Sequence, residues 1–128
     1  MHAAGVVVHG RVSRVGAGWV LVDAAVAETL VALDAVAWVE RLPAAVDSDG
    51  DAVEQRLGLG HVLRRLSRDR AVVTVTLRDA TTLTGTLDRV GANFADVAEH
   101  PADVVRRAAQ VTRVRTVPFS ALAVVRPA

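Results

Sequence analysis

All fifteen basic residues of this 128-residue chain are arginine, and the residues best placed to act on an anionic partner are among them. Arg113 and Arg115 alternate along a segment that reads as a strand, Arg106 and Arg107 lie in the loop just before it, and Arg89 sits in an earlier apolar segment. Guanidinium groups at two-residue spacing face one side of a strand and can follow a phosphate backbone. Asn93 and Phe94 come next along the chain from Arg89, and an exposed aromatic ring can stack a base. Arg89, Asn93, Phe94, Arg106, Arg107, Arg113 and Arg115 therefore form the candidate nucleic-acid-binding set. Arg64, Arg65, Arg68 and Arg70 make a second basic run, which reads equally as an RNA-facing or a solvated helix face. Phe94 has a competing reading as a core residue. Lys, Ile, Tyr and Cys are absent while Ala, Val and Arg abound, a bias that GC-rich codons produce, so the use of arginine over lysine is not itself a sign of phosphate recognition.

Other chemistries find weaker footing. Asp47, Asp49 and Asp51 have the spacing of a calcium loop, but Ala52 stands where such a loop needs glycine and Gly58 where it needs a bidentate glutamate. The four histidines, His2, His9, His61 and His100, share no ligand spacing, and with no cysteine there is no thiolate site for zinc. His100 beside Glu99 reads as a solvated loop pair. Gly58-Leu59-Gly60 lacks the preceding strand and third glycine of a dinucleotide loop, and no serine carries a nucleophile elbow. The expectation is a non-enzymatic protein without metal or cofactor.

The formal net charge is only +1, but residues 1–50 hold three Arg against six acidic residues and residues 51–128 hold twelve against eight. The second half can thus present a positive face to an anionic partner. The uncharged apolar run at residues 15–22 is too short to span a bilayer, and a cytoplasmic location follows by default.

The elements that carry these residues come in two copies. Residues 10–22 (GRVSRVGAGWVLV) align without a gap on residues 85–97 (GTLDRVGANFADV), with six of thirteen positions identical. Residues 31–39 (VALDAVAWV) align on residues 117–125 (VPFSALAVV), with four of nine identical. Gly10 and Gly85 interrupt alternating apolar runs, where glycine marks a sharp bend or a close backbone approach. Gly16 and Gly91 follow at strand ends, and Trp19 and Phe94 are matching large apolar plugs. Residues 44–50 read as a linker between a first domain at residues 1–43 and a second at residues 51–128. Asp51 and Glu54 can open a helix, whose firm part is residues 60–68, with Val62, Leu63 and Leu66 on one stripe. Five strands follow it, the first of them alternating Val73, Val75 and Leu77 with Thr74, Thr76 and Arg78. The first copy begins at the glycine-bent strand, so the helix and first strand are expected to be missing there and one sheet edge to be open.

One helix followed by five short antiparallel strands, with VTVTLRDATTLTGTLDRV as first motif and VRTVPFSALAVV as second, resembles the Sm-like family of Sm proteins and bacterial Hfq. In the first motif Leu77, Asp79, Gly85, Leu87 and Val90 carry the match; in the second, Arg115-Thr116 replaces the basic-glycine or basic-histidine pair. The resemblance implies a mainly β fold of two tandem Sm-like (SH3-like) bent barrels, the second preceded by the helix and the first truncated. It further implies assembly by strand pairing across subunits and binding of uridine- or adenine-rich RNA by two loops. Gly91 and Ala95 stand at the expected ligand positions of the first loop, leaving Asn93 and Phe94 as substitutes. The whole chain also looks like a family from high-GC bacteria labelled a Fis-type transcriptional regulator, although a helix-turn-helix needs two adjacent helices and one is legible. The leading expectation is a module binding single-stranded RNA through the arginine-rich face of its second domain. The alternative is an oligomerisation or protein-interaction module without nucleic acid, and the third is a DNA-binding regulator.

Overall fold

The computed structural model describes residues 1–25, 27–40, 58–103 and 107–128, and it is mainly β. The predicted linker, the acidic loop at residues 47–51 and the Asp51 helix cap lie outside the described residues, as does Arg106. The first copy contributes β1 (His2–Ala3), β2 (Val6–Val7), β3 (Arg11–Gly16), β4 (Trp19–Asp23), β5 (Glu28–Ala32), a 3-10 turn (Leu33–Ala35) and β6 (Val36–Trp38). Helix α1 (Leu59–Arg68) precedes β7 (Val72–Leu77), β8 (Thr82–Val90), β9 (Phe94–Glu99), β10 (Arg113–Pro118), a second 3-10 turn (Phe119–Ala121) and β11 (Leu122–Pro127).

These elements repeat in order. The glycine-bent strand, the strand after it, a third strand, a 3-10 turn and a closing strand occur once as β2/β3, β4, β5, turn and β6, and again as β8, β9, β10, turn and β11. The matched glycines also do the same work. A Cβ on Gly10 would stand 2.2 Å from the Asp23 carbonyl oxygen, and one on Gly85 would stand 1.9 Å from the Ala98 carbonyl oxygen. Asp23 and Ala98 are themselves matched positions, so both copies need a bare backbone at the same crossing. Gly16 lies under the Trp19 ring as Gly91 lies under the Phe94 ring.

The strands do not form two separate closed barrels. Eight strands make one antiparallel sheet in the order β10-β9-β8-β7-β11-β5-β4-β3, and β2-β1-β6 make a second of three strands. The cause is the junction between copies: β11 pairs with β7 on one side and β5 on the other, with Val124 opposite Val31 and Val125 opposite Leu30. A first strand is also present in the first copy, though only as the two residues of β1, pairing with β2 and β6.

Because residues opposite each other on paired strands share a face, the junction register sends its side chains both ways. Val31 and Val124 enter a cluster with Ala3, Val8, Val20, Val22 and Ala123. Leu30 and Val125 enter the larger cluster on the other face, with Trp19, Leu21, Val73, Val75, Leu83, Leu87, Val97 and the helix residues Val62 and Leu63. Helix α1 thus covers β8 and also reaches the outer face of the first copy, where Arg65 lies 3.6 Å from Glu28. Its seat on β8 is fixed by the Ser67 hydroxyl, which donates to the Leu87 carbonyl at 3.0 Å.

The β7–β8 hairpin turns at Asp79, whose carboxylate accepts the Thr81 backbone N–H at 2.9 Å. That backbone bond, with a second from the Thr81 side chain, holds the Asp79 carboxyl below its ordinary 3.8. The lowered folded value means that the turn stabilises the fold above the ordinary carboxylate pKa and loses that contribution as pH falls through the folded value. Asp79→Asn should flatten this acid limb in a series of denaturation midpoints against pH, leaving the neutral fold in place.

Candidate nucleic-acid interface and open strand edges

The register of β10 on β9 decides which predicted residues can act together. Arg113 lies opposite Glu99, Arg115 opposite Val97 and Val117 opposite Ala95, so the two arginines point to the face that holds the second copy's core. Thr116 lies opposite Asp96 and Pro118 opposite Phe94, on the other face. The sequence expectation that Arg113 and Arg115 share a face is met. Phe94, however, lies on the opposite side of the sheet from them.

Arg89, Arg113 and Arg115 each have a carboxylate within ion-pair distance. The Nε of Arg115 is 2.9 Å and the Nε of Arg113 3.4 Å from one oxygen of Glu99. Arg89 donates through Nε to Asp96 at 3.1 Å, and its guanidinium stands 5.1 Å from the centre of the Phe94 ring. The Thr116 hydroxyl donates to the other Asp96 oxygen at 2.7 Å. Asn93 is exposed, and its carbonyl accepts the Phe119 N–H at 2.8 Å. Arg107 is exposed in the turn before β10, where its carbonyl accepts the Gln110 and Val111 N–H groups. On the helix, Arg64 reaches the Gly91 carbonyl at 3.1 Å, so part of the second basic run is tied to the β8–β9 turn.

Phe94 is half-buried, whereas its counterpart Trp19 is 1% exposed. Both rings occupy the outer face of their own copy. Trp19 is covered because the second copy and α1 pack over it.

Asp96 was not singled out in the sequence and Glu99 was read only as a neighbour of His100; they flank buried Val97 and Ala98 on opposite faces of a strand that pairs with an arginine-bearing one, which is the signal that could have found them. His100 also differs from expectation. It is not a solvated loop residue but 3% exposed, with Nδ1 2.9 Å from the Pro101 carbonyl and Nε2 2.6 Å from the Thr86 hydroxyl. A carbonyl only accepts, so Nδ1 carries a proton, and in the neutral ring Nε2 then accepts from the Thr86 hydroxyl. The residue anchors the end of β9 to the bend in β8.

Four strands are paired on one side only: β2 and β3 of the first copy's bent strand, β10, which pairs with β9, and β6, which pairs with β1. The counterparts of β10 and β6, β5 and β11, are paired with each other. β5 buries four of its five residues and β11 four of its six, whereas β10 buries Val117 alone and no residue of β6 is buried. Val114, Trp38 and Val39 are 54%, 49% and 43% exposed. Trp38 stacks on His2 with ring centres 5.4 Å apart. No group of three or more His, Asp or Glu able to hold a metal occurs among the described residues, and no helix among them is long and apolar enough to cross a membrane. Comparison with protein-family models, with curated proteins and with solved structures gives no match to this chain.

Proposed function

We propose that the chain is a non-enzymatic assembly module, built of two tandem Sm-like bent sheets, whose copies join head to tail within the chain and from chain to chain. The observation that carries this reading is the β5·β11 junction. It is an antiparallel pairing between the third strand of one copy and the last strand of the other, made at Val31–Val124 and Leu30–Val125. The complementary third and last strands, β10 and β6, carry the same repeat and are left exposed. A row of unpaired backbone groups beside exposed apolar side chains is a template for a further strand.

Carried over by the repeat, the junction register sets Val117 of one chain opposite Trp38 of the next, and Thr116 opposite Val39. One residue further, Arg115 faces Glu40, a charge pair that favours this register. Such contacts are heterologous, so they close into a ring or extend as a filament according to the rotation between chains. The Sm-like relation draws support from α1 followed by five antiparallel strands with Gly85 inside the second of them.

RNA binding, the leading expectation from sequence, draws less support from the geometry. Arg89, Arg113 and Arg115 are each within ion-pair distance of a carboxylate, and Arg89 and Phe94 lie across the sheet from Arg113 and Arg115. The DNA-binding reading has a single α-helix to rest on among the described residues.

Light scattering with an absorbance ratio separates these readings. Assembly predicts a stable oligomer free of nucleic acid. A monomer that retains short RNA in filter binding at low salt, and releases it as salt rises, would overturn it in favour of RNA binding.

A further inference from the structure

We infer that the β10 edge is built to refuse a second β10, and that Arg115, with Arg113 and Pro118, is what makes it take β6 of the next chain instead. The inference rests on the head-to-tail reading and adds to it the residues that choose the partner. The commonest competitor of an exposed antiparallel edge strand is its own copy, because two identical edges can meet about a two-fold axis. β10 is exposed except at Val117, so such a pair would centre on Val114, Arg115, Thr116 or Val117.

None of these centrings is free of an obstacle. A pair centred on Arg115 makes the most backbone bonds, with Val114 opposite Thr116 of the second chain on each side of the axis, but it sets Arg115 opposite Arg115. Odd-numbered residues of β10 turn their N–H groups to β9, so at the outer edge the two Arg115 residues form the closer kind of cross-strand pair, with Cα atoms ~4.5 Å apart. Like charges directly opposite repel. Glu99 does not relieve them, since one of its oxygens is 2.9 Å from Arg115 and 3.4 Å from Arg113, leaving two guanidinium groups to one carboxylate. A pair centred on Val114 sets Arg113 opposite Arg115 twice, and it is short because the Thr112 N–H is turned to the Glu99 carbonyl. Pairs centred on Thr116 or Val117 bring Pro118 opposite Val114 or Thr116, where a donor is needed and proline has none. β6 meets none of these obstacles. It offers Glu40 to Arg115, and the junction that this pairing repeats uses only Leu30 and Val31 of β5, one residue short of Ala32, the match of Pro118.

The test places Val114→Cys and Thr116→Cys in the full chain, which has no cysteine of its own. The two become cross-strand partners only between chains whose β10 strands pair about Arg115. Under mild oxidation the chain that keeps Arg115 should stay unlinked. The same chain with Arg115→Val should give a covalent dimer in yield on the order of tenfold higher, reversed by reductant. Arg115→Thr, which installs the residue found at the matched Thr29, should act as Arg115→Val does, and Arg115→Lys, which keeps the charge, should stay unlinked. The Arg115 side chain is exposed and both neutral residues suit a strand, so circular dichroism should show the fold retained. Equal dimer yield from the chain that keeps Arg115 overturns the inference, and so does the absence of dimer from folded Arg115→Val and Arg115→Thr chains. β6 takes no part in this linkage, so its result is separate from that of the joint between β10 and β6.

Discussion

Gly85→Ala is expected to destabilise the protein by on the order of 4 kcal/mol, lowering the melting temperature by roughly 15 °C. The added methyl would stand 1.9 Å from the Ala98 carbonyl oxygen and 3.0 Å from the Glu99 Cα, both backbone atoms of the paired strand. No rotamer relieves that contact. Relief requires β8 and β9 to part where Thr86 and His100 are buried and bonded to each other. Gly10→Ala meets the Asp23 carbonyl at 2.2 Å and should act in the same direction. Gly58→Ala, with open space around its Cβ, should cost under about 1 kcal/mol. Thermal melts of the three variants check the ranking, and a Gly85→Ala protein as stable as the parent would remove the physical basis given for the repeat.

The second large effect is expected at the free edge. Thr116→Pro should convert the assembled protein to single chains without unfolding it. Phe119 donates its N–H to Asn93, and donors toward β9 recur at every second residue, so the Thr116 N–H points away from β9. A proline there removes a donor that an incoming strand needs and none that β9 uses. Native Pro118, two residues on, already occupies an equivalent position on the same edge. Light scattering should show the loss of assembly, and circular dichroism should show an unchanged strand signal. Full assembly of a folded Thr116→Pro protein would exclude the β10 edge as the joining surface.

Much of the framework was legible in the sequence because it rests on local pattern. The helical stripe of Val62, Leu63 and Leu66, the alternation through Val73 and Val75, and the paired glycines each act through near neighbours, and the structure places them in α1, in β7 and at two equivalent backbone crossings. The pairing of β5 with β11 was not legible. Strand alternation says which residues share a face and nothing about which distant strand lies alongside, so two separate barrels and one shared sheet write the same periodicity. For the same reason the arginine set looked like one surface. Only the register shows Phe94 and Arg113 on opposite faces, with Asp96 and Glu99 beside the guanidinium groups. His100 misled because a polar residue next to Glu99 at a strand end reads as solvated, whereas its two bonds come from Pro101 and from Thr86 in another strand. The missing strand of the first copy was a nearer miss: β1 is there, but two residues carry no periodicity to read.

Head-to-tail pairing of β10 with β6 is the central claim, and an engineered disulfide tests it most directly, because the chain has no cysteine of its own. Val39→Cys and Thr116→Cys, placed in one chain, become direct cross-strand partners only between chains joined in the register of Val125 and Leu30. Mild oxidation should then give a ladder of covalently linked chains on a denaturing gel, reversed by reductant. A pair moved out of register, Val39→Cys with Val114→Cys, should give far less. Single chains after oxidation of the first pair, or equal linkage from both pairs, would contradict the account.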